Sequence, residues 1–292
     1  MPVRPPYRRV MAADKGVYIV TGANAGIGKA IARKLALMGH QVVMVCRSME
    51  KGEAARAEIS AGAPGPVDLV QGDLADVESV HRLAGELLRR YRRIACLINN
   101  AGIWMQRREV NADGLEATFM VNHLAPFILT SLLMPRLRES APARVVNIGA
   151  GLYVFGTADP ERTPRGLDFS RSRTYADSKL CSLLVTLETA RRIEGTGVTI
   201  NAVHPGVIRT GLGDAPGPFG FLLRLMKRFA AAPEKGADAP VWLATSPDVD
   251  GVNGKFFMLR KEGKLTADAR NEDLIKRFWD LSVKLGKLTD AL

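Results

Sequence analysis

A tyrosine and a lysine stand one helical turn apart in the string Tyr175-Ala-Asp-Ser-Lys179. This spacing places both side chains on one face of a helix, so the ammonium can act on the phenol. A free tyrosine has a pKa of about 10, and a neighbouring cation lowers it. The pair therefore indicates a tyrosine that can donate or accept a proton near neutral pH, as in an oxidoreductase. The spacing alone is weak evidence, because tyrosine and lysine are also ordinary surface neighbours on helices.

The pair lies in a chain where short β-branched runs alternate with amphipathic stretches. The runs predict strands at Val17–Val20, Gln41–Cys46, Val67–Gln71, Ile94–Ile98, Arg144–Ile148, Thr199–Val203 and Lys255–Leu259. The stretches predict helices around Ile27–Met38, Glu50–Ile59, Val77–Tyr91, Gly114–Leu137, Tyr175–Ile193 and a C-terminal helix over about 271–286. Apolar strands separated by helices imply a parallel sheet covered on both faces. We therefore predict an α/β fold, a single doubly wound Rossmann domain over 15–292 with about seven strands.

Composition narrows the class of protein. The chain has 292 residues, 47% of them hydrophobic, and a formal net charge of +11. Because the basic residues are spread along helices without an aromatic-basic motif, we expect no nucleic-acid partner. No apolar run reaches the roughly 18 residues of a membrane span, and residues 1–14 read as a flexible arm rather than a signal peptide. Three scattered cysteines, Cys46, Cys96 and Cys181, indicate buried thiols in a reducing cytoplasmic compartment and no metal site.

A glycine-rich turn follows the first predicted strand and opens a helix. It reads Thr21-Gly22-Ala23-Asn24-Ala25-Gly26-Ile27-Gly28. In this context Gly22 permits a tight turn, Gly26 lets the backbone approach a pyrophosphate, and Gly28 lets the helix pack close to the sheet. The free N–H groups of the helix N-terminus then face the phosphates. The turn predicts a dinucleotide site.

With this turn, TGxxxGxG, the chain resembles the short-chain dehydrogenase/reductase family over nearly its whole length. Further motifs follow in order: Asp73-Leu74, Asn99-Asn100-Ala101-Gly102, Val121-Asn122-His123, Tyr175 with Lys179, and Pro205-Gly206-Val207-Ile208-Arg209-Thr210. The resemblance implies that Tyr175 exchanges a proton with the substrate oxygen while a hydride moves to or from nicotinamide. It also implies that Lys179 lowers the tyrosine pKa and holds the ribose, and that Asn122 anchors a water in a proton relay.

The end of the second strand bears on the choice of cofactor. An enzyme that prefers NAD usually has an acid there for the ribose 2′-hydroxyl, whereas this chain has Cys46 followed by Arg47. An arginine favours a 2′-phosphate, so we predict NADP(H), with NAD(H) as the alternative. The resemblance implies a cofactor site formed by Thr21, Gly22, Asn24, Ala25, Gly26, Ile27, Gly28, Arg47, Asp73, Leu74, Asn100, Ala101, Gly102, Tyr175, Lys179, Pro205, Gly206, Val207 and Thr210.

One residue departs from the family pattern. Where the family has a serine that hydrogen-bonds the substrate oxygen, the chain reads Asn147-Ile148-Gly149-Ala150, so Ala150 takes the serine's place. The loss of one such donor costs about 10²–10³ in rate. Three explanations stay open: the substrate supplies its own donor or needs none, the protein binds nucleotide without turnover, or another hydroxyl takes over, from Tyr153, Thr157, Ser170 or Ser172.

Within the family, the chain looks most like retinol-dehydrogenase-like members, including the oxidoreductase domain of WW-domain oxidoreductases. The likeness implies an apolar carbonyl or alcohol substrate, with Trp104 and Met105 facing it and a lid over about 211–232. The apolar and basic stretch Phe219–Phe229 predicts lid packing, with peripheral membrane contact as the alternative. A likeness to protochlorophyllide reductases leaves C=C reduction open, and a non-catalytic NADP(H)-binding regulator is the other alternative. The family's dimers, built on helices such as Gly114–Leu137 and Tyr175–Ile193, suggest a homo-oligomer.

Overall fold

The computed structural model describes residues 16–207 and 232–289. The predicted arm (1–14), Thr210 and nearly all of the predicted lid (211–232), including Phe219–Phe229, lie outside the described residues. Everything below concerns the described part of the chain.

A single twisted sheet forms the centre of the fold, in the strand order β3-β2-β1-β4-β5-β6-β7-β8. The strands are β1 Val17–Thr21, β2 Val42–Cys46, β3 Val67–Gln71, β4 Ile94–Asn99, β5 Ala143–Ile148, β6 Val198–His204, β7 Phe256–Met258 and β8 Lys261–Glu262. All neighbours are parallel except β7 and β8, which pair antiparallel. The predicted Rossmann fold is confirmed. The eighth strand was not predicted, because its two exposed charged residues carry no apolar pattern.

Helices cover both faces of the sheet, as the uniformly apolar strands predict. They are α1 Gly26–Leu37, α2 Met49–Ser60, α3 Val77–Arg90, α4 Ala117–Glu139, α5 Arg171–Arg192, α6 Pro233–Gly236, α7 Asp238–Thr245 and α8 Glu272–Leu285. Successive strand residues face opposite sides: Ile19 enters the core under α3, α4, α5 and α8, while Val20 enters the core under α1, α2 and α7. The sheet is therefore buried on both sides.

Two helices begin three or four residues away from their predicted first residues. The fourth was expected from Gly114, but Gly114 has a φ of +75°, outside helical space. The Glu116 carboxylate instead accepts a hydrogen bond from the Phe119 N–H at 2.9 Å and caps α4, which begins at Ala117. The fifth begins earlier than Tyr175, at Arg171, because its polar first turn lies outside the apolar repeat on which the prediction rested.

One helix of the described chain, Ala117–Glu139, is long and apolar enough to cross a bilayer by length and composition alone. However, 89% of its apolar window is buried inside the fold. It is therefore the central helix of one layer, and its apolar character is explained by packing against the sheet.

The C-terminal helix α8 lies across α4 and α5, the two helices suggested above for a dimer contact. Trp279 packs edge-on against Phe127, with ring centroids 5.0 Å apart, and the Arg192 guanidinium lies 4.3 Å from the Trp279 ring. Ser282 bonds the buried His123 ring at 3.0 Å. The C-terminal helix thus covers the part of the α4–α5 surface around these contacts.

Trp279→Ala should lower the free energy of unfolding by about 3–5 kcal/mol, because it removes a buried aromatic side chain and leaves a cavity between α8 and α4. Urea unfolding followed by circular dichroism measures the change. Lys276→Ala, on the exposed side of the same helix, is the matched control and should change stability by less than about 0.5 kcal/mol. Equal effects of the two substitutions would contradict the packing role of α8.

Candidate active site

A cleft of about 1520 Å³ opens at the carboxyl ends of the parallel strands, where chain order reverses between β1 and β4. This is the position at which doubly wound sheets bind ligands. Its wall contains most of the predicted site residues: Gly22, Asn24, Ala25, Gly26, Ile27, Gly28, Arg47, Asp73, Leu74, Asn100, Ala101, Gly102, Ala150, Tyr175, Lys179, Pro205, Gly206 and Val207. Two predicted residues, Thr21 and Asn122, lie behind the wall.

The glycine turn is held against the end of β4 by hydrogen bonds. The Thr21 hydroxyl accepts from the backbone N–H groups of Asn100 and Ala101, both at 3.0 Å. The Asn100 side-chain amide donates to the Thr21 carbonyl at 2.8 Å. Gly22 and Gly26 have φ values of +65° and +56°, which side chains disfavour. Thr21 and Asn100 therefore shape the turn from behind.

The approach of α1 to this turn leaves no room for a side chain at Gly28. A Cβ there would lie 2.3 Å from the Asn100 Nδ2 atom and 2.4 Å from the Gly22 carbonyl oxygen. At the helix N-terminus, Ala25 provides no side-chain cap. The first N–H groups of α1 therefore face the cleft and have no side-chain cap within the described chain, an arrangement that fits a pyrophosphate.

At the end of β2 the cleft presents a cation and no acid. Arg47 is exposed in the cleft wall, and its guanidinium has no ion pair or hydrogen bond with the rest of the described chain. Cys46 points away into the core beside α2, where burial raises its pKa to about 11. Asp73 is also in the wall, but its carboxylate accepts a hydrogen bond from the Ala75 N–H at 3.0 Å.

Tyr175 lies on the opposite side of the cleft, nearly buried on α5. The Trp104 ring stacks on the Tyr175 ring, with centroids 4.5 Å apart and planes 15° apart. The Trp104 indole N–H donates to the Arg171 carbonyl at 2.7 Å, which fixes the stack. Burial raises the pKa of Tyr175 above its ordinary value. The Tyr175 pKa is therefore raised and not lowered as the resemblance implied for Lys179, and the phenol stays protonated.

The position of Lys179 explains why its ammonium does not offset the effect of burial on the Tyr175 pKa. Its ammonium is 5.8 Å from the centre of the Tyr175 ring and donates to the Ile148 carbonyl at 2.8 Å. Burial lowers the pKa of Lys179 to about 8, so the cation is itself weakened. The bond to Ile148 ties the end of β5 to α5 and brings the predicted tyrosine, lysine and Ala150 turn together.

Asn122 lies in a π-helical segment of α4, Met120–Leu124, of the kind often found at functional sites. Its side-chain oxygen accepts from the Ile103 N–H at 2.8 Å, and its amide donates to the Ile103 carbonyl and the Ser178 hydroxyl. A Cβ on Gly102 would stand 3.2 Å from the Asn122 oxygen and 3.7 Å from the Lys179 nitrogen. Asn122 thus positions the loop after β4 beside Lys179.

The four hydroxyls considered as replacements for the serine have different positions. Tyr153 is buried in the core, where its hydroxyl donates to the Lys264 carbonyl at 3.0 Å. Thr157 is exposed and is not part of the cleft wall. Ser170 and Ser172 do line the cleft, at the start of α5. Their positions therefore exclude Tyr153 and Thr157 as donors to a substrate in the cleft, whereas Ser170 and Ser172 stay candidates.

One residue of the wall that was not predicted as a site residue is His204, the last residue of β6. Its position directly before Pro205-Gly206, at a strand end that faces the cleft, was the signal that could have identified it. Ile103, Leu152 and Phe155 also line the cleft and make this end of it apolar.

The fold and its cleft define a nucleotide-dependent oxidoreductase of the doubly wound α/β class. Residues 16–215 match the family model described as short chain dehydrogenase. The chain belongs to the short chain dehydrogenase family, and it is an NAD(P)-dependent oxidoreductase.

Relatives agree with this assignment. The chain is 39% identical over 280 residues to retinol dehydrogenase 14 of Mus musculus, covering 90% of this chain and 84% of the relative. It is 38% identical over 270 residues to human retinol dehydrogenase 12, covering 92% and 85%. A crystal structure of an uncharacterized protein from Mycobacterium paratuberculosis is 29% identical, with a TM-score of 0.74 over 93% of both chains. A Burkholderia cenocepacia short chain dehydrogenase in complex with NADP is 26% identical, with a TM-score of 0.66 over 84% of this chain and 95% of that one.

Gly28→Ala should weaken NADPH binding at least tenfold, because the added methyl group collides with Asn100 and with the carbonyl of Gly22 and so displaces the turn. Isothermal titration measures the dissociation constant. Gly85→Ala, on α3 with no atom within 4 Å of its new Cβ, should leave the constant unchanged. Unaltered affinity in Gly28→Ala would show that the turn does not hold the cofactor.

Proposed function

We propose that this protein catalyses NADP(H)-dependent interconversion of an apolar carbonyl compound and its alcohol. The observation that carries the proposal is the meeting of Tyr175 and Lys179 with the glycine turn in one cleft. The retinol dehydrogenases among the relatives support a carbonyl or alcohol substrate of apolar character.

The bound cofactor supplies or accepts the hydride. In the reduction direction, the Tyr175 hydroxyl gives its proton to the substrate oxygen, and burial keeps this hydroxyl protonated at neutral pH. Lys179 restrains α5 against β5 and offers an ammonium near the phenol, which favours the phenolate that remains. Asn122 holds the loop after β4 in place through Ile103.

The preference for NADP(H) is supported by Arg47. Its guanidinium lies in the wall at the end of β2 and pairs with no other residue of the described ranges 16–207 and 232–289. Cys46 faces the core, so no acid repels a 2′-phosphate at this strand end. A planar guanidinium is suited to bidentate binding of phosphate oxygens. The apolar character of the substrate is supported by Trp104, Met105 and the neighbouring apolar side chains of the wall.

A second candidate function, a nucleotide-binding regulator, is favoured by one observation. Ala150 lines the cleft where the family's serine hydroxyl would stand. A regulator of this kind binds NADPH tightly and gives no substrate-dependent change of absorbance at about 340 nm, a general property of reduced nicotinamide. Activity that depends on Tyr175 excludes it.

Tyr175→Phe should reduce turnover of apolar aldehydes with NADPH by at least about 10²-fold, because it removes the proton donor and leaves the ring stacked on Trp104. Steady-state oxidation of NADPH measures the loss. Tyr153→Phe is the matched control: it removes a buried hydroxyl outside the cleft and should keep wild-type turnover at a temperature where both proteins are folded. Wild-type rates in Tyr175→Phe would contradict the mechanism.

Arg47→Ala should raise the dissociation constant of NADPH about 10–100-fold and leave that of NADH within about threefold, because only NADPH carries the 2′-phosphate that the guanidinium would bind. Titration of each nucleotide by fluorescence measures the ratio. Arg56→Ala, an exposed arginine on α2 paired with Glu53, serves as the charge-matched control. Equal weakening of both nucleotides in Arg47→Ala would remove the basis for NADP(H) preference.

A further inference from the structure

His204 carries an imidazole that has no hydrogen-bond partner among the residues that the structure describes. Its Nδ1 atom is buried and unbonded, and its Nε2 atom bonds to no other described residue. Buried polar side-chain atoms are nearly always paired, and each exception requires a reason. Because the ring also lines the cleft, a bound molecule is the natural partner for it.

The ring lies beside the turn that lacks the serine. A Cβ built on Gly151, the neighbour of Ala150, would stand 3.4 Å from the His204 Cδ2 atom and 3.5 Å from Nε2. The Cδ2–Nε2 edge of the imidazole therefore faces this turn. Lys179, one turn after Tyr175 on α5, is near enough to act electrostatically on the same ring.

The protonation state of the ring follows from its surroundings. Burial, and secondarily the Lys179 ammonium, lower the pKa of His204 below its ordinary value, so the imidazole is neutral near pH 7 and carries one N–H. A proton on the buried Nδ1 would leave a donor without an acceptor, which costs more than an unpaired acceptor. The proton therefore lies on Nε2, at the edge that faces the turn.

We propose that the Nε2–H group of His204 donates to the substrate oxygen the hydrogen bond that Ala150 cannot. The inference rests on the proposed function and identifies one further catalytic residue for it. His204 keeps its proton throughout, while Tyr175 gives its own to the same oxygen, so the proton balance of the reduction is unchanged. Ser170 and Ser172 are the rival donors, on the α5 side of the cleft.

The test uses nonanal and all-trans-retinal as probe substrates with NADPH. His204→Ala should lower kcat about 10²–10³-fold, as for loss of one pre-positioned donor, with an unchanged NADPH dissociation constant. His204→Gln, which keeps an N–H donor, should have a kcat at least tenfold higher than that of His204→Ala. Ala150→Ser should restore most of the activity when combined with His204→Ala, because the hydroxyl then replaces the imidazole.

His40→Ala is the matched control, a histidine at the opposite end of β2 that packs against Tyr18, and it should keep wild-type kcat. Ser170→Ala and Ser172→Ala should each lower kcat by much less than His204→Ala does. The inference is overturned if His204→Ala stays within threefold of wild type, if Ala150→Ser fails to rescue it, or if a serine variant shows the large loss instead. If Tyr175→Phe is inactive in that case, the proposed function still holds. Absence of turnover by the wild type with both probes would overturn both the inference about His204 and the proposed function.

Discussion

The hydrogen bonds between Thr21 and the loop after β4 are the contact on which the rest of the site depends. They join β1 and β4, the two strands between which chain order reverses, and the loops that follow these strands diverge there to leave a crevice. The same contact leaves Gly28 no room for a side chain. A change of position in either loop would therefore be transmitted to the turn, to α1 and to the floor of the cleft.

Desolvation controls the chemistry on the other side of the cleft. Tyr175 and Lys179 are both largely removed from water, which favours the neutral form of each: the pKa of the phenol rises, while that of the ammonium falls to about 8. The pKa values of the two groups, which nearly coincide in free tyrosine and lysine, are thus moved apart in opposite directions. Trp104 contributes to this by covering the ring of Tyr175.

Much of the fold could be predicted, because the parallel strands are apolar on both faces and each is followed by a helical repeat. The glycine turn and the Tyr175–Lys179 pair could be located because local backbone rules fix their context. Contacts between segments that are distant in the sequence could not be predicted. Sequence does not show that Cys46 faces the core while Arg47 faces the cleft, or that Tyr153 turns its hydroxyl away toward Lys264. His204 was missed because only the packing of the fold shows that its Nδ1 atom is buried without a partner in the described part of the chain.

The π-helical segment Met120–Leu124 limits which insertions and deletions in α4 the site can tolerate. Its hydrogen bonds span five residues, with the Ala125 N–H reaching the Met120 carbonyl, so the segment holds one residue more than an α-helical turn needs. Deletion of one residue here would restore a regular helix and rotate Asn122 by about 100° relative to the rest of α4. The register of a helix, and not only the identity of its side chains, is therefore part of what defines the active centre.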